Sequence, residues 1–182
     1  MKALFVVAQN NYQSQEYGIP KQILTAAGME VVTASKNLGR CLGSHGGSTE
    51  ATTTLEKANI SEFDVILFVG GPGAVHYQHD PQAHLLARKA LAQRKIVAAI
   101  CIGPTILAHA GVLNGRKATV WNLDGQQEAM LKKNGATYTG DDVTVDGFVV
   151  TANGPQAAEK LGKTILDLLR NRESNPIMFQ KY

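Results

Sequence analysis

The chain has 182 residues, is 44% hydrophobic and 18% charged, and carries a formal net charge of +3 with only two cysteines. That length fits one domain with a sizeable core and would leave two independent domains unusually small. The composition excludes a disordered or membrane-embedded chain, and the scattered basic residues argue against nucleic acid or an anionic membrane as a partner.

The opening run Met1-Lys2-Ala3-Leu4-Phe5-Val6-Val7-Ala8 meets polar Gln9-Asn10-Asn11 too soon for a signal-peptide core, and reads as a buried first strand. No apolar run approaches the roughly 20 residues that span a bilayer, so the expected location is cytoplasmic, with both thiols free. Residues 16–27 read as a helix, with Pro20 near the first turn and Gly28 as the stop. A second strand is expected at 30–35. The Gly/Ser/Thr-rich stretch 38–54 reads as turns and a small hairpin decorating the sheet.

Asp64-Val65-Ile66-Leu67-Phe68-Val69 is the continuous apolar run of a central strand covered on both faces, and it breaks at Gly70-Gly71-Pro72-Gly73. A helix is expected over 81–92, a buried strand over 96–100, then Cys101 and a helix running to Gly111. Further on come a strand at 118–121, a helix at 126–134, a hairpin of 143–145 with 148–152, and a helix from 155 to about 170. Asn175-Pro176 marks a tail over 171–182, whose Met178, Phe179 and Tyr182 are available to pack on the body or a second subunit. Strands alternating with helices give an α/β domain with a mostly parallel sheet.

The chemistry is expected at Ala99-Ile100-Cys101-Ile102-Gly103-Pro104. Small residues two before and two after the cysteine suit a strand that turns sharply into a helix, the nucleophile-elbow arrangement. A sulfur there meets unpaired backbone N–H groups and the positive end of the helix dipole, both of which favour thiolate. A buried, inert cysteine is the competing reading. Gly70-Gly71 falls at the same edge of the sheet, where backbone amides can approach a substrate oxygen, or where the pair makes only a tight turn. The Gly-Lys-Ser/Thr ending of a phosphate loop is absent, as is a Rossmann fingerprint.

These residues carry a resemblance. The chain resembles the DJ-one/ThiJ/PfpI superfamily, in Glu16 with Ile19-Pro20, Gly70-Gly71, the Cys101 elbow, Gly111-Val112-Leu113 with Gly115-Arg116-Lys117, Asp146-Gly147, and Thr151-Ala152-Asn153-Gly154-Pro155. Ser44-His45-Gly46 and the approach to Glu62-Phe63-Asp64 look closer to the PfpI branch. The resemblance implies a flavodoxin-like three-layer sandwich of the class I glutamine-amidotransferase type, one domain over 1–170, and a homodimer or higher homo-oligomer. It also implies that Cys101 is the nucleophile, that Glu16 is a protonated acid donating to the sulfur, and that Gly71 and Ile102, beside Gly70, supply oxyanion-binding amides.

The departures bear on mechanism. Where protease-like and many glyoxalase-like members place a histidine directly after the nucleophile, this chain has Ile102. The histidine that the Parkinson-associated branch carries on the neighbouring strand corresponds here to Trp121 or Asn122. Proton transfer needs a base, and His76, with His79 nearby, follows the Gly-Gly turn and is the candidate from the same subunit or across a dimer. Two histidines three apart on a loop are a weak metal signal, so neither metal nor other cofactor is expected. His84 and His109 fall within helices and read as structural, His45 sits in a loop, and Cys41 reads as a spectator.

Three functions follow from this resemblance. One is a cysteine-dependent glyoxalase or deglycase acting on small reactive carbonyls such as methylglyoxal through a Cys101 thiolate. Another is an oxidative-stress sensor or protective protein in which Cys101 is oxidised, which needs no base. The third is a PfpI-like cysteine peptidase or amidase.

Overall fold

The computed structural model describes residues 1–174. The expected tail from 175 onward, with Met178, Phe179 and Tyr182, lies outside the described residues. Strand β1 (Lys2–Val6) leads through short β2 (Asn10–Tyr12) into helix α1 (Ser14–Ala26) and strand β3 (Glu30–Ser35). Strands β4 (Gly39–Gly43), β5 (Ser48–Ala51) and β6 (Thr53–Thr54) follow, then β7 (Val65–Phe68), helix α2 (Pro81–Ala92), β8 (Ile96–Ile100) and helix α3 (Gly103–His109). The chain continues through β9 (Lys117–Ala118), helix α4 (Gln126–Lys133), β10 (Thr137–Tyr138), β11 (Val143–Asp146), β12 (Val149–Ala152) and helix α5 (Ala158–Ser174).

The central sheet has seven strands in the order β11-β12-β8-β7-β1-β3-β6, and all its pairings are parallel except β11 with β12. Strand alternation sorts the core into two layers. Leu4 and Val6 of β1 join Leu86, Ile106, Leu107 and Leu131 of α2, α3 and α4 on one face. Phe5 on the same strand joins Leu24, Leu161 and Ile165 of α1 and α5 on the other face. Both faces of β7 and β8 are therefore apolar, which is why these strands read as unbroken hydrophobic runs. This is the three-layer α/β sandwich expected from the sequence.

From β1 the chain steps to β3 and β6 on one side, and then to β7 on the other. The order of the sheet thus reverses between β1 and β7, and the C-terminal ends of those strands flank a topological switch point, the place where open α/β sheets bind ligands.

Several local readings need correction. Helix α1 begins at Ser14, because the Gln13 side chain caps it by accepting the N–H groups of Gln15 (2.6 Å) and Glu16 (3.3 Å). Pro20 consequently lies inside the helix rather than near its first turn. The 38–54 stretch holds the expected hairpin, β4 with β5, but it joins β2 in a separate three-stranded sheet, and β6 extends the main one. The strand expected at 118–121 stops at Ala118, pairing with β10 in a two-stranded sheet. Beyond it the backbone is used elsewhere: Thr119 N donates to Thr151 Oγ1 (2.9 Å) and Trp121 N to the Cys101 carbonyl (2.8 Å). Helix α5 follows a short 3-10 turn, Pro155–Ala157, and continues to Ser174, past the boundary expected near 170.

Candidate active site

Cys101 follows β8 directly and adopts φ +62°, a left-handed conformation that costs a non-glycine residue on the order of 1–3 kcal/mol. Its N–H continues the β8–β12 ladder by donating to the Ala152 carbonyl (2.9 Å), while its own carbonyl accepts from Trp121. The backbone is thus held on both sides of the strained residue. The small neighbours do what an elbow requires. A side chain at Gly103 would stand 2.6 Å from the Phe68 carbonyl and 3.4 Å from Ala99 Cβ.

The first turn of α1 comes to the same point. Gln13 donates its backbone N–H to the Gly70 carbonyl (3.0 Å), and Gly70 returns its N–H to Glu16 Oε2 (3.1 Å). Glu16 is wholly buried, and its Oε1 has no hydrogen-bond partner among the described residues. Its carboxyl lies beside the Cys101 thiol, close enough for each to shift the other's protonation. The glycines make this approach possible: a Cβ at Gly70 would lie 2.5 Å from both Cys101 Cβ and Glu16 Oε2. Gly71 adopts φ +98°, and a side chain there would collide with the Gln13 nitrogen. The backbone N–H groups of Gly71 and Ile102 both reach the Cys101 sulfur.

Burial dominates the electrostatics. It pushes the Glu16 carboxyl up to about 7, against the opposing pull of the thiol and the Gly70 N–H. It pushes the Cys101 thiol up to about 12, helped by the Glu16 charge, while the Gly71 and Ile102 amides act in the opposite direction. The expectation of a favoured thiolate is thus reversed. The dipole and amides are in place, but a sulfur that is 8% exposed loses more from desolvation than it gains from them. At neutral pH the pair holds a neutral thiol beside a carboxyl near its own midpoint.

The structure brings together Cys101, Glu16, Gly70, Gly71 and Ile102. His76 is exposed on the 3-10 turn Pro72–Tyr77 and makes no hydrogen bond to Cys101 among the described residues. The turn buries Tyr77 instead, whose hydroxyl meets Ser35 Oγ, the Val7 carbonyl and Lys36 N. His79 packs its ring edge-on against His109, with centroids 4.4 Å apart. His84 and His109 donate to the carbonyls of Gln78 (2.7 Å) and Thr105 (2.8 Å), as structural residues do, and burial lowers the pKa of His84. His45 bonds its neighbour Ser44. Trp121 packs against the core layer that holds Cys101, and Asn122 is tied to Glu128 of α4. Cys41 is buried away from solvent. Among the described residues no group of three or more His, Cys, Asp or Glu is arranged to hold a metal, and no helix is long and apolar enough to cross a membrane.

Sequence reasoning missed Gln13, which orients Glu16 from behind. Glutamine is not among the favoured N-cap residues, so only the position of Glu16 pointed toward it.

Comparison with known proteins gives the geometry a context. A model of the DJ-1/PfpI family matches residues 1–168. Deglycase PH1704 of Pyrococcus horikoshii is 37% identical over 155 residues, covering 85% of this chain and 91% of that protein. A ThiJ/PfpI domain protein from Brachyspira murdochii superposes with a TM-score of 0.90 at 30% identity, covering 93% of this chain and 96% of the other. Drosophila melanogaster DJ-1beta superposes with a TM-score of 0.83 at 28% identity, over 94% and 91% of the two chains.

Proposed function

Because the chain belongs to the DJ-1/PfpI family, we propose that it is a cysteine-dependent enzyme of the deglycase or glyoxalase kind, acting on small reactive carbonyls such as methylglyoxal. The observation that carries this reading is the buried contact between the Cys101 thiol and a Glu16 carboxyl poised at about 7. A base is most useful when its pKa lies near the working pH. Glu16 meets that condition without a histidine.

In the proposed reaction the Cys101 sulfur attacks the aldehyde carbon as its proton passes to Glu16. The Gly71 and Ile102 amides stabilise the developing oxyanion, which is then protonated to a hemithioacetal. Glu16, once its proton has been passed on, removes the proton from the former aldehyde carbon. Reprotonation at the adjacent carbon converts the ketone to an alcohol and the hemithioacetal to a thioester. Water hydrolyses the thioester, releasing lactate and restoring the thiol. The sum is methylglyoxal plus water giving lactate, a rearrangement in which one carbon is oxidised and its neighbour reduced, so it consumes no external oxidant or reductant. In the deglycase form the carbonyl arrives as an adduct with an amine or thiol, which departs as Cys101 takes its place. The name of the Pyrococcus relative favours this form.

A peroxide sensor is less well served by this site, since oxidation-sensitive cysteines are low-pKa and accessible, and Cys101 is neither. A peptidase reading is less well served, since among the described residues no histidine hydrogen-bonds Cys101 to protonate a leaving amine.

The test is to incubate the purified chain with methylglyoxal and follow lactate. Turnover by the wild type and its loss in Cys101→Ser are expected. Equal rates in the two, or no lactate from either, would remove the assignment.

A further inference from the structure

At the switch point between β1 and β7 lies a cavity of about 440 Å³. Its walls come from the exit of β1 (residues 8–11), the exit of β3 (Lys36) and the 72–77 turn after β7. The wall is tightly built, for a side chain at Gly73 would collide with the Asn10 carbonyl. Asn11 is held at φ +60°, one of the few non-glycine residues in the left-handed region.

Two of the polar lining residues are already engaged. Gln9 bonds the Arg40 carbonyl and the Asn37 N–H, and the Tyr77 hydroxyl is held by Ser35, Lys36 N and Val7. By contrast, the side chains of Asn10, Asn11, Lys36 and His76 make no hydrogen bond or ion pair among the described residues, though all four line the cavity. Among the described residues no aspartate or glutamate lines it. One cation, an imidazole and two amides with no carboxylate to neutralise them form a donor set suited to an anion. The volume falls in the range of small-molecule sites, and an inorganic ion alone would leave most of it unfilled.

We propose that this cavity binds a small organic oxyanion, a carboxylate or a phosphate ester, through Lys36 Nζ, the His76 ring and the Asn10 and Asn11 amides. The amide oxygens remain available to hold hydroxyl groups, so the fitting ligand is a hydroxylated acid or sugar phosphate. The site uses none of the Cys101 machinery and stands whether or not the carbonyl chemistry does.

Titration calorimetry on the full chain with sorbitol 6-phosphate, gluconate and sorbitol tests it, because none of these probes has a carbonyl for Cys101 to attack. At least one anion should bind with a Kd below about 1 mM, while sorbitol does not. Binding of the phosphate alone would assign a phosphate ester, and of gluconate alone a carboxylate. Lys36→Met and His76→Gln should each weaken binding roughly tenfold or more, the effect of losing a charged or polar donor, and Cys101→Ser should not change it. Lys36→Gln serves as a second variant, with circular dichroism to check the fold of each. Failure of both anions to bind, equal binding of sorbitol, or full affinity in a folded Lys36 variant would overturn the assignment.

Discussion

Burial sets the protonation of Glu16 before any partner does. Its carboxyl is moved from an ordinary value of 4.5 to about 7, so the folded state resists ionising it while the unfolded chain does not. The stabilisation this gives is complete below about 4.5 and is lost as pH rises through about 7; the full difference is roughly 3 kcal/mol. Denaturant unfolding between pH 4 and pH 8 should therefore show stability falling across that window. In Glu16→Gln, which carries no ionisable proton there, the decline should be largely absent. The thiol gives a second prediction. With Cys101 pushed up to about 12, alkylation by iodoacetamide at pH 8 should run at least about tenfold slower than for a small free thiol, because only thiolate reacts. Fast alkylation at neutral pH would contradict the neutral-thiol state and restore the sensor reading.

At the scale of elements, the site exists because a strand end, a glycine pair and a helix start are forced close together. Gly70 is one of the tight points. Gly70→Ala would place a methyl 2.5 Å from Cys101 Cβ and 2.7 Å from the Ile100 carbonyl, neither of which yields readily. A loss of about 1–3 kcal/mol in unfolding free energy is expected, along with a fall in lactate formation as the elbow and Glu16 are pushed apart. Much of this was legible in the sequence. The apolar runs at 64–69 and 96–100, the small residues around Cys101 and the Gly-Gly break each carry a local steric requirement that only certain residues meet. What was not legible depended on pairing at a distance. Nothing local in Lys117-Ala118-Thr119-Val120-Trp121 says that pairing ends at Ala118 because Trp121 must bond the Cys101 carbonyl. The burial of Tyr77 in the turn that carries exposed His76 was likewise not readable from the local sequence. For Cys101, dipole and amides were readable from the elbow, whereas the opposing desolvation requires knowing how deep the sulfur sits.

For the molecule as a whole, the parallel sheet collects functional segments from distant parts of the chain at one edge. Glu16 follows β1, Gly70 and Gly71 follow β7, and Cys101 follows β8, with β12 pinning its backbone. Because β7 and β8 are covered on both faces, amide exchange should be slowest at 65–68 and 97–101. It should be faster in the β4–β5 hairpin, whose residues are mostly partly or fully exposed; mass-resolved hydrogen exchange would show the contrast. A rigid edge of this kind is what lets a strained cysteine and a buried carboxyl keep a fixed distance. The most direct test of their partnership is the pH dependence of kcat/KM for lactate formation from methylglyoxal in the wild type and Glu16→Gln. If Glu16 is the base, the wild-type profile rises through about pH 7 to a plateau, and Glu16→Gln loses that limb with a drop of roughly 10²–10⁴-fold. A profile that is the same in both proteins would contradict the account.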